Sequence, residues 1–113
     1  MHKLWALLLF MASANSHGED WRNPEAKFNT AANKAKTVTV TWHPVNDVQQ
    51  ACEKRSREKG FGGFGYSVDA CSFWGSDVLG HHCEVYTGKK TTMHELGHEI
   101  RHCFQGSFHA VPK

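Results

Sequence analysis

The sequence lacks the features that mark several large classes of protein. Its 113 residues carry 13 basic and 11 acidic side chains, a formal net charge of +2, so no charge excess favours binding to nucleic acid. There is no GxSxG elbow of a serine hydrolase, and no CxxC pair to support a four-cysteine zinc ribbon. Internal repeats are also missing. With 40% hydrophobic and 21% charged residues, the composition is that of one small globular domain.

A long apolar run is also missing. Residues 4–12 are apolar, but a membrane-spanning helix needs about 20 such residues. His2 and Lys3 precede this run, and small residues at 12–16 offer cleavage sites. This is the plan of a secretory signal peptide. We therefore predict a signal peptide at residues 1–16 and a single domain at 17–113. The mature protein is expected to be secreted or periplasmic, without stable membrane insertion.

Four cysteines remain for the mature chain: Cys52, Cys71, Cys83 and Cys103. An even number in a short exported chain predicts two disulfides, and three pairings are possible. We expect Cys71 to pair with Cys83 across neighbouring strands, and Cys52 with Cys103 between two helices. Zinc binding through sulfur is the alternative.

The pattern of residues predicts five elements after a loose segment at 17–34. A β-branched run predicts a strand at 36–42, ended by His43 and Pro44. Asn46 or Asp47 can cap a helix that ends near Gly60. Two strands at 66–74 and 82–87 precede a second helix at 91–104. The sequence therefore predicts an α+β fold, with a small antiparallel or mixed sheet of about three strands and two helices.

The glycine-rich stretch GFGGFG, residues 60–65, matches the pattern GxGxxG. A dinucleotide-binding loop needs a strand before it and a helix after it, whereas here a charged helix precedes and a strand follows. We expect a flexible aromatic loop that can flank a substrate cleft.

The second predicted helix carries two overlapping HExxH motifs, HELGH at 94–98 and HEIRH at 98–102. Histidines four residues apart lie on one helix face and can reach one Zn²⁺ at about 2.0–2.1 Å. The neighbouring glutamate can take a proton from an activated water. We expect His98 and His102 to face a polar cleft, because an apolar stripe lies on the other side of the helix. The stripe consists of Met93, Leu96, Ile100, Cys103 and Phe104. The alternative is a solvated, histidine-rich helix without metal.

Only one frame can hold the metal, because His94 and His102 lie about 12 Å apart along the helix axis. Thr92 and Glu95 match a capping box, which gives Glu95 a structural role. His109 follows the second frame. We therefore favour His98, His102 and His109 as zinc ligands, with Glu99 as the catalytic base. The rival set is His94, Glu95 and His98, with a third ligand from elsewhere in the chain.

Other aromatic and histidine residues are weaker candidates. His81 and His82 are expected in a polar loop before a strand, and His43 at a strand end. The residues Trp42, Phe73 and Trp74 are expected in the core or in a cleft wall.

The motif resembles the HExxH helix of the zincin metallopeptidases, whose third ligand lies downstream. Metzincins place that histidine six residues after the second, whereas His109 is seven after His102. Residues 97–109 are more similar to a group of short exported bacterial and phage proteins assigned as metallopeptidases, with the pattern GHExxHCFxGxxH. This resemblance covers the C-terminal fifth of the chain. It implies zinc, export, a peptide or protein substrate and the second frame.

These patterns predict a secreted zinc-dependent metallopeptidase. The alternative is a zinc-stabilised secreted protein that binds a partner, such as a host molecule, without catalytic turnover.

Overall fold

The chain folds into strands and helices in the predicted order, which confirms the α+β fold. The computed structural model describes residues 11–12 and 23–107. The elements are β1 (Met11–Ala12), β2 (Val38–Val45), α1 (Val48–Glu58), β3 (Ala70–Asp77), β4 (Gly80–Gly88) and α2 (Met93–Gln105), with a short 3-10 turn at Thr30–Ala32 before β2.

The sheet is mixed, with strand order β1-β3-β4-β2. Strands β3 and β4 form an antiparallel hairpin, and β2 runs parallel to β4. The two-residue strand β1 pairs with Ser72 and Cys71 of β3. Met11 and Ala12 belong to the predicted signal peptide. Its other residues lie outside the described part of the chain, and the signal peptide stays a prediction.

Two strands run further than the sequence indicated. Strand β2 continues through His43 and Pro44 to Val45. It follows β4 at the end of the strand order, and an edge strand tolerates a proline because one side of its backbone makes no ladder bonds. Strand β3 continues past Trp74 to Asp77 because those residues pair with β4 as far as Gly80.

Both helices begin at the predicted kind of cap. The Asp47 side chain accepts a hydrogen bond from the Gln50 amide at 3.0 Å, and Thr92 accepts one from the Glu95 amide at 3.0 Å. Such caps satisfy amides that have no partner within the helix. In the described residues, no helix combines the length and the apolar character needed to cross a membrane.

The two helices pack on opposite faces of the sheet. Residues directly opposite each other in paired strands point to the same face, and successive residues alternate between faces. Cys71 therefore shares a face with Tyr86, and Cys83 shares the other face with Trp74. Helix α1 is bonded to the first of these faces through Cys71, and α2 to the second through Cys83.

The expected disulfide pairing is wrong. The bonds join Cys52 to Cys71 and Cys83 to Cys103. Because Cys71 and Cys83 point to opposite faces of the sheet, they cannot bond to each other. Cys52 and Cys103 lie on helices that the sheet separates. All four cysteines are used, so the expected number of disulfides is confirmed and no free thiol remains.

The glycine-rich stretch at 60–65 is held by α1 along its length. Ser56 Oγ donates to the Gly62 carbonyl at 2.6 Å, and Glu53 accepts from the Phe64 amide at 3.2 Å. A side chain at Gly63 would collide with the Glu53 carboxylate and the Arg57 guanidinium. Phe64 is buried in the core beneath α1. This aromatic loop therefore belongs to the opposite side of the sheet from α2, rather than to a cleft beside the histidine helix.

Candidate metal centre

His98 and His102 lie one turn apart on α2, with their rings side by side. The ring centroids are 5.0 Å apart and the planes are nearly perpendicular, at 88°. His98 is 6% exposed and His102 is fully buried. The predicted pair is therefore brought together inside the protein, at a spacing that suits two ligands of one metal ion.

The orientation of His102 is fixed by two neighbours. Its Nδ1 donates to the Gly106 carbonyl at 2.7 Å, and its ring stacks on Trp74, with centroids 5.3 Å apart. Because a carbonyl can only accept, Nδ1 carries the proton and Nε2 is the nitrogen with the lone pair in the neutral ring. A histidine that binds a metal is commonly oriented in this way by a bond from its other nitrogen.

Glu99 is fully buried between α2 and β3. Its Oε1 accepts a hydrogen bond from Ser72 Oγ at 2.7 Å, and its Oε2 lies 4.0 Å from His98 Nε2. The carboxylate therefore reaches from the sheet to the histidine pair, where a general base would be placed.

The expectation that both histidines face a cleft holds only in part, since His98 borders a groove and His102 is fully buried. His98, Glu99 and His102 are buried, whereas Met93 of the predicted apolar stripe is 90% exposed. Both flanks of α2 meet the sheet. Leu96, Ile100 and Phe104 pack against the core cluster that includes Val85 of β4. On the other flank, Glu99 and His102 contact Ser72 and Trp74 of β3.

A groove of about 240 Å³ gives access to His98 from outside. His94, Gly97 and Arg101 of α2 form one wall, and the N-terminal segment at 23–28 forms the other. Arg101 lies over the Phe28 ring at 5.4 Å from its centroid. His98 is thus reached along α2, whereas the fully buried His102 does not line the groove.

The first frame has a different environment. Glu95 Oε1 accepts from the Thr91 hydroxyl at 2.7 Å, and its amide donates to Thr92. The bond from the Glu95 amide to Thr92, which the capping box predicts, is confirmed. The Glu95 carboxylate instead contacts the side chain of Thr91, the residue before the cap. Glu95 is held at the helix start, whereas the Glu99 carboxylate lies near His98 of the second frame.

The described residues offer no third ligand beside His98 and His102. Within residues 23–107, no three His, Cys, Asp or Glu side chains are grouped so that they could hold one metal ion. His98 and His102 supply two nitrogen ligands, and His109 lies outside the described residues. The donor chemistry of the pair fits Zn²⁺, with one further ligand required.

His82 and His43, two of the weaker candidate residues, contact other side chains of the sheet. His82 Nε2 lies 3.2 Å from Asp77 at the hairpin end, and His43 stacks on Tyr86 with centroids 4.5 Å apart. Neither lies among the residues that surround Glu99. Trp74, of the cleft-wall group, stacks on His102.

Sequence reasoning missed Ser72 as a partner of the site. It lies in a run of buried residues, Ala70 to Phe73. A small polar residue inside such a run is the signal that could have marked it, because a buried hydroxyl normally finds a partner.

Comparison with family models, curated proteins and solved structures finds no match to this chain. Any assignment of this protein to a functional class therefore depends on the HExxH motif and on the geometry of its residues.

Proposed function

We propose that the protein is a secreted or periplasmic zinc-dependent metallopeptidase with its site on α2. The observation that carries the proposal is the buried group His98, Glu99 and His102, in which Glu99 Oε2 lies 4.0 Å from His98 Nε2. Two disulfides in so short a chain support an oxidising compartment outside the cytoplasm. The likeness of the motif to zincins supports the same class.

The proposed ligands are His98, His102 and His109. The bond from His102 Nδ1 to Gly106 supports binding through Nε2. A zinc ion bound there would polarise the scissile carbonyl and acidify a water molecule. Three protein ligands would leave a fourth position open for this chemistry.

Glu99 is the proposed general base. Its carboxylate would take the proton of the attacking water and then transfer it to the leaving amine, so that the proton count balances over the cycle. The groove beside His98 would hold the peptide, since it opens on the same histidine. Burial would exclude bulk water from the carboxylate.

The second candidate is a zinc-stabilised binding protein without turnover. The complete burial of Glu99 and His102 favours it, since structural zinc sites are closed. A closed site has four protein ligands, whereas a catalytic site keeps one position for solvent or substrate.

Metal titration tests the zinc site and its frame. We expect about one zinc per chain, and His102→Ala should lower zinc affinity by more than about 100-fold, since even indirect partners of a ligand contribute about 10–100-fold. His94→Ala is the matched control and should keep the zinc. The reverse result would move the site to the first frame, and absence of zinc from the parent after zinc-supplemented refolding would refute the proposal.

Peptide cleavage separates catalysis from metal binding. Glu99→Gln should keep zinc and lower turnover by about 10²–10⁴-fold, because glutamine cannot accept the proton. Glu95→Gln should keep most activity, since its carboxylate contacts Thr91 at the helix start. A parent that binds zinc but cleaves nothing in a broad peptide library would favour the non-enzymatic candidate.

A further inference from the structure

Ser72 is the partner of the buried carboxylate on the sheet. It lies on β3 and is fully buried, as is Glu99. Its hydroxyl donates to Glu99 Oε1 at 2.7 Å, across 27 positions of sequence. The contact is short and joins the sheet directly to the histidine helix.

The two oxygens of Glu99 have different surroundings. Oε1 is bonded to Ser72, and Oε2 lies near His98 Nε2. A glutamate side chain has several rotatable bonds, so a helix alone does not fix where its carboxylate points. With Oε1 held by the sheet, the carboxylate can turn little, and Oε2 stays beside the histidine.

We propose that Ser72 is a positioning residue, which orients Glu99 so that Oε2 faces the reacting water. This inference rests on the proposed peptidase function and adds a residue that lies outside the HExxH motif. Ser72 acts through Glu99 and is not placed in contact with zinc or substrate.

The chain offers a matched control for this serine. Ser56 is also fully buried and donates one hydroxyl bond, to the Gly62 carbonyl at 2.6 Å, but it lies on α1. Ser72→Ala and Ser56→Ala remove the same atoms from equally buried positions. A merely structural role predicts the same outcome for both.

Kinetics at full zinc occupancy provide the first measurement. Ser72→Ala should lower kcat by about 10–100-fold, the usual effect of losing a group that orients a catalytic partner, and leave KM within about twofold. Ser72→Thr keeps the hydroxyl and should recover most of kcat. Ser56→Ala should leave kcat unchanged. Equal kcat values for the two alanine variants would overturn the inference.

A second measurement does not depend on activity. In zinc-free protein, the losses in urea midpoint for Ser72→Ala and Glu99→Met should not add in the double variant, since methionine keeps the length of the side chain but both changes remove the same contact. Strict additivity would overturn the inference. Coupling in a parent that binds zinc but has no turnover would instead refute the peptidase function, and would leave Ser72 as a structural contact.

Discussion

Helices α1 and α2 are attached to the sheet in the same way but bury different chemistry. Each is bonded by one disulfide to a central strand, α1 through Cys52–Cys71 and α2 through Cys83–Cys103. On the α1 side, the charged groups lie at the surface or in pairs, as in the contact of Arg55 with Glu84 at 2.7 Å. On the α2 side, Glu99 and His102 are fully buried.

This difference separates a scaffold from a candidate site. A buried carboxylate and two buried imidazoles are costly to remove from water, whereas apolar residues at the same positions would stabilise the helix contact. The α1 side shows that this fold can hold a helix on the sheet without such groups. The polar residues of α2 therefore need a reason other than stability, and the proposed metal binding would supply one.

Removal of each disulfide in turn is the strongest way to compare the two sides. The bonds close loops of similar length, with sequence separations of 19 and 20. Cys52→Ala with Cys71→Ala, and Cys83→Ala with Cys103→Ala, should each lower the free energy of unfolding by about 3 kcal/mol. Urea unfolding of the zinc-free proteins measures this.

The two disulfide variants should differ in zinc binding. Cys103 is next to His102 in the chain, and its disulfide with Cys83 fixes this part of α2 to β4. Removal of the Cys83–Cys103 disulfide should therefore weaken zinc binding, whereas removal of the Cys52–Cys71 disulfide should not. An equal loss of zinc affinity in both variants would contradict the division into scaffold and site.

The glycines that follow the two helices provide a second comparison between the α1 side and the α2 side. Gly60 follows α1 with φ +89°, and Gly106 follows α2 with φ +67°. Alanine at either position is strained, and each variant should lose about 1 kcal/mol of stability. Gly106→Ala should also lower zinc affinity by about 10–100-fold, because it displaces the carbonyl that accepts from His102.

Isothermal titration of both glycine variants with zinc measures this difference in zinc affinity. Gly60→Ala should bind zinc as the parent does. If Gly106→Ala also binds zinc normally, the contact with His102 has no part in the metal centre.

An effect smaller than that of either disulfide is expected from the ion pair of the α1 side. Burial disfavours the charge of Glu84, but the hydrogen bond from Arg55 and the nearby charges of Lys59 and Arg55 outweigh it and lower its pKa from 4.5 to about 2. The folded state therefore binds this proton less readily than the unfolded state. The stabilisation is complete above about pH 4.5 and is lost as pH falls towards 2.

Glu84→Gln should lower the free energy of unfolding at pH 7 by about 1–2 kcal/mol, since the pair is only partly buried. The acid-dependent loss between pH 4.5 and 2 should become shallower. Glu58→Gln, which removes an exposed ion pair within α1, is the control and should change both much less. A steeper acid transition in Glu84→Gln would show that the pKa shift has the opposite sign.

Local features of the chain were predictable from its sequence. Asp47 and Thr92 act as helix caps because a cap involves neighbours two or three residues away. The spacing of His98 and His102 needed only the helix period. Such features depend on short stretches of backbone, and so the order of elements and the pairing of the two histidines could be read directly.

Features that depend on the sheet could not be predicted in this way. The disulfide pairing follows from which face Cys71 and Cys83 point to, and one residue of register would exchange those faces. The burial of Glu99 depends on Ser72, which is 27 positions away. Apolar periodicity marked one flank of α2 as buried, but it could not show that a serine and a tryptophan of β3 cover the other flank.

The order of the disulfides along the chain has a consequence for biosynthesis. The two loops follow one another without overlapping, since Cys71 precedes Cys83. During export the N-terminal part of the chain emerges first. Cys52 and Cys71 can therefore meet before Cys83 and Cys103 have emerged. Oxidation in order of emergence therefore yields the native bonds directly, and an isomerase is needed where Cys52 or Cys71 has instead bonded to Cys83 or Cys103.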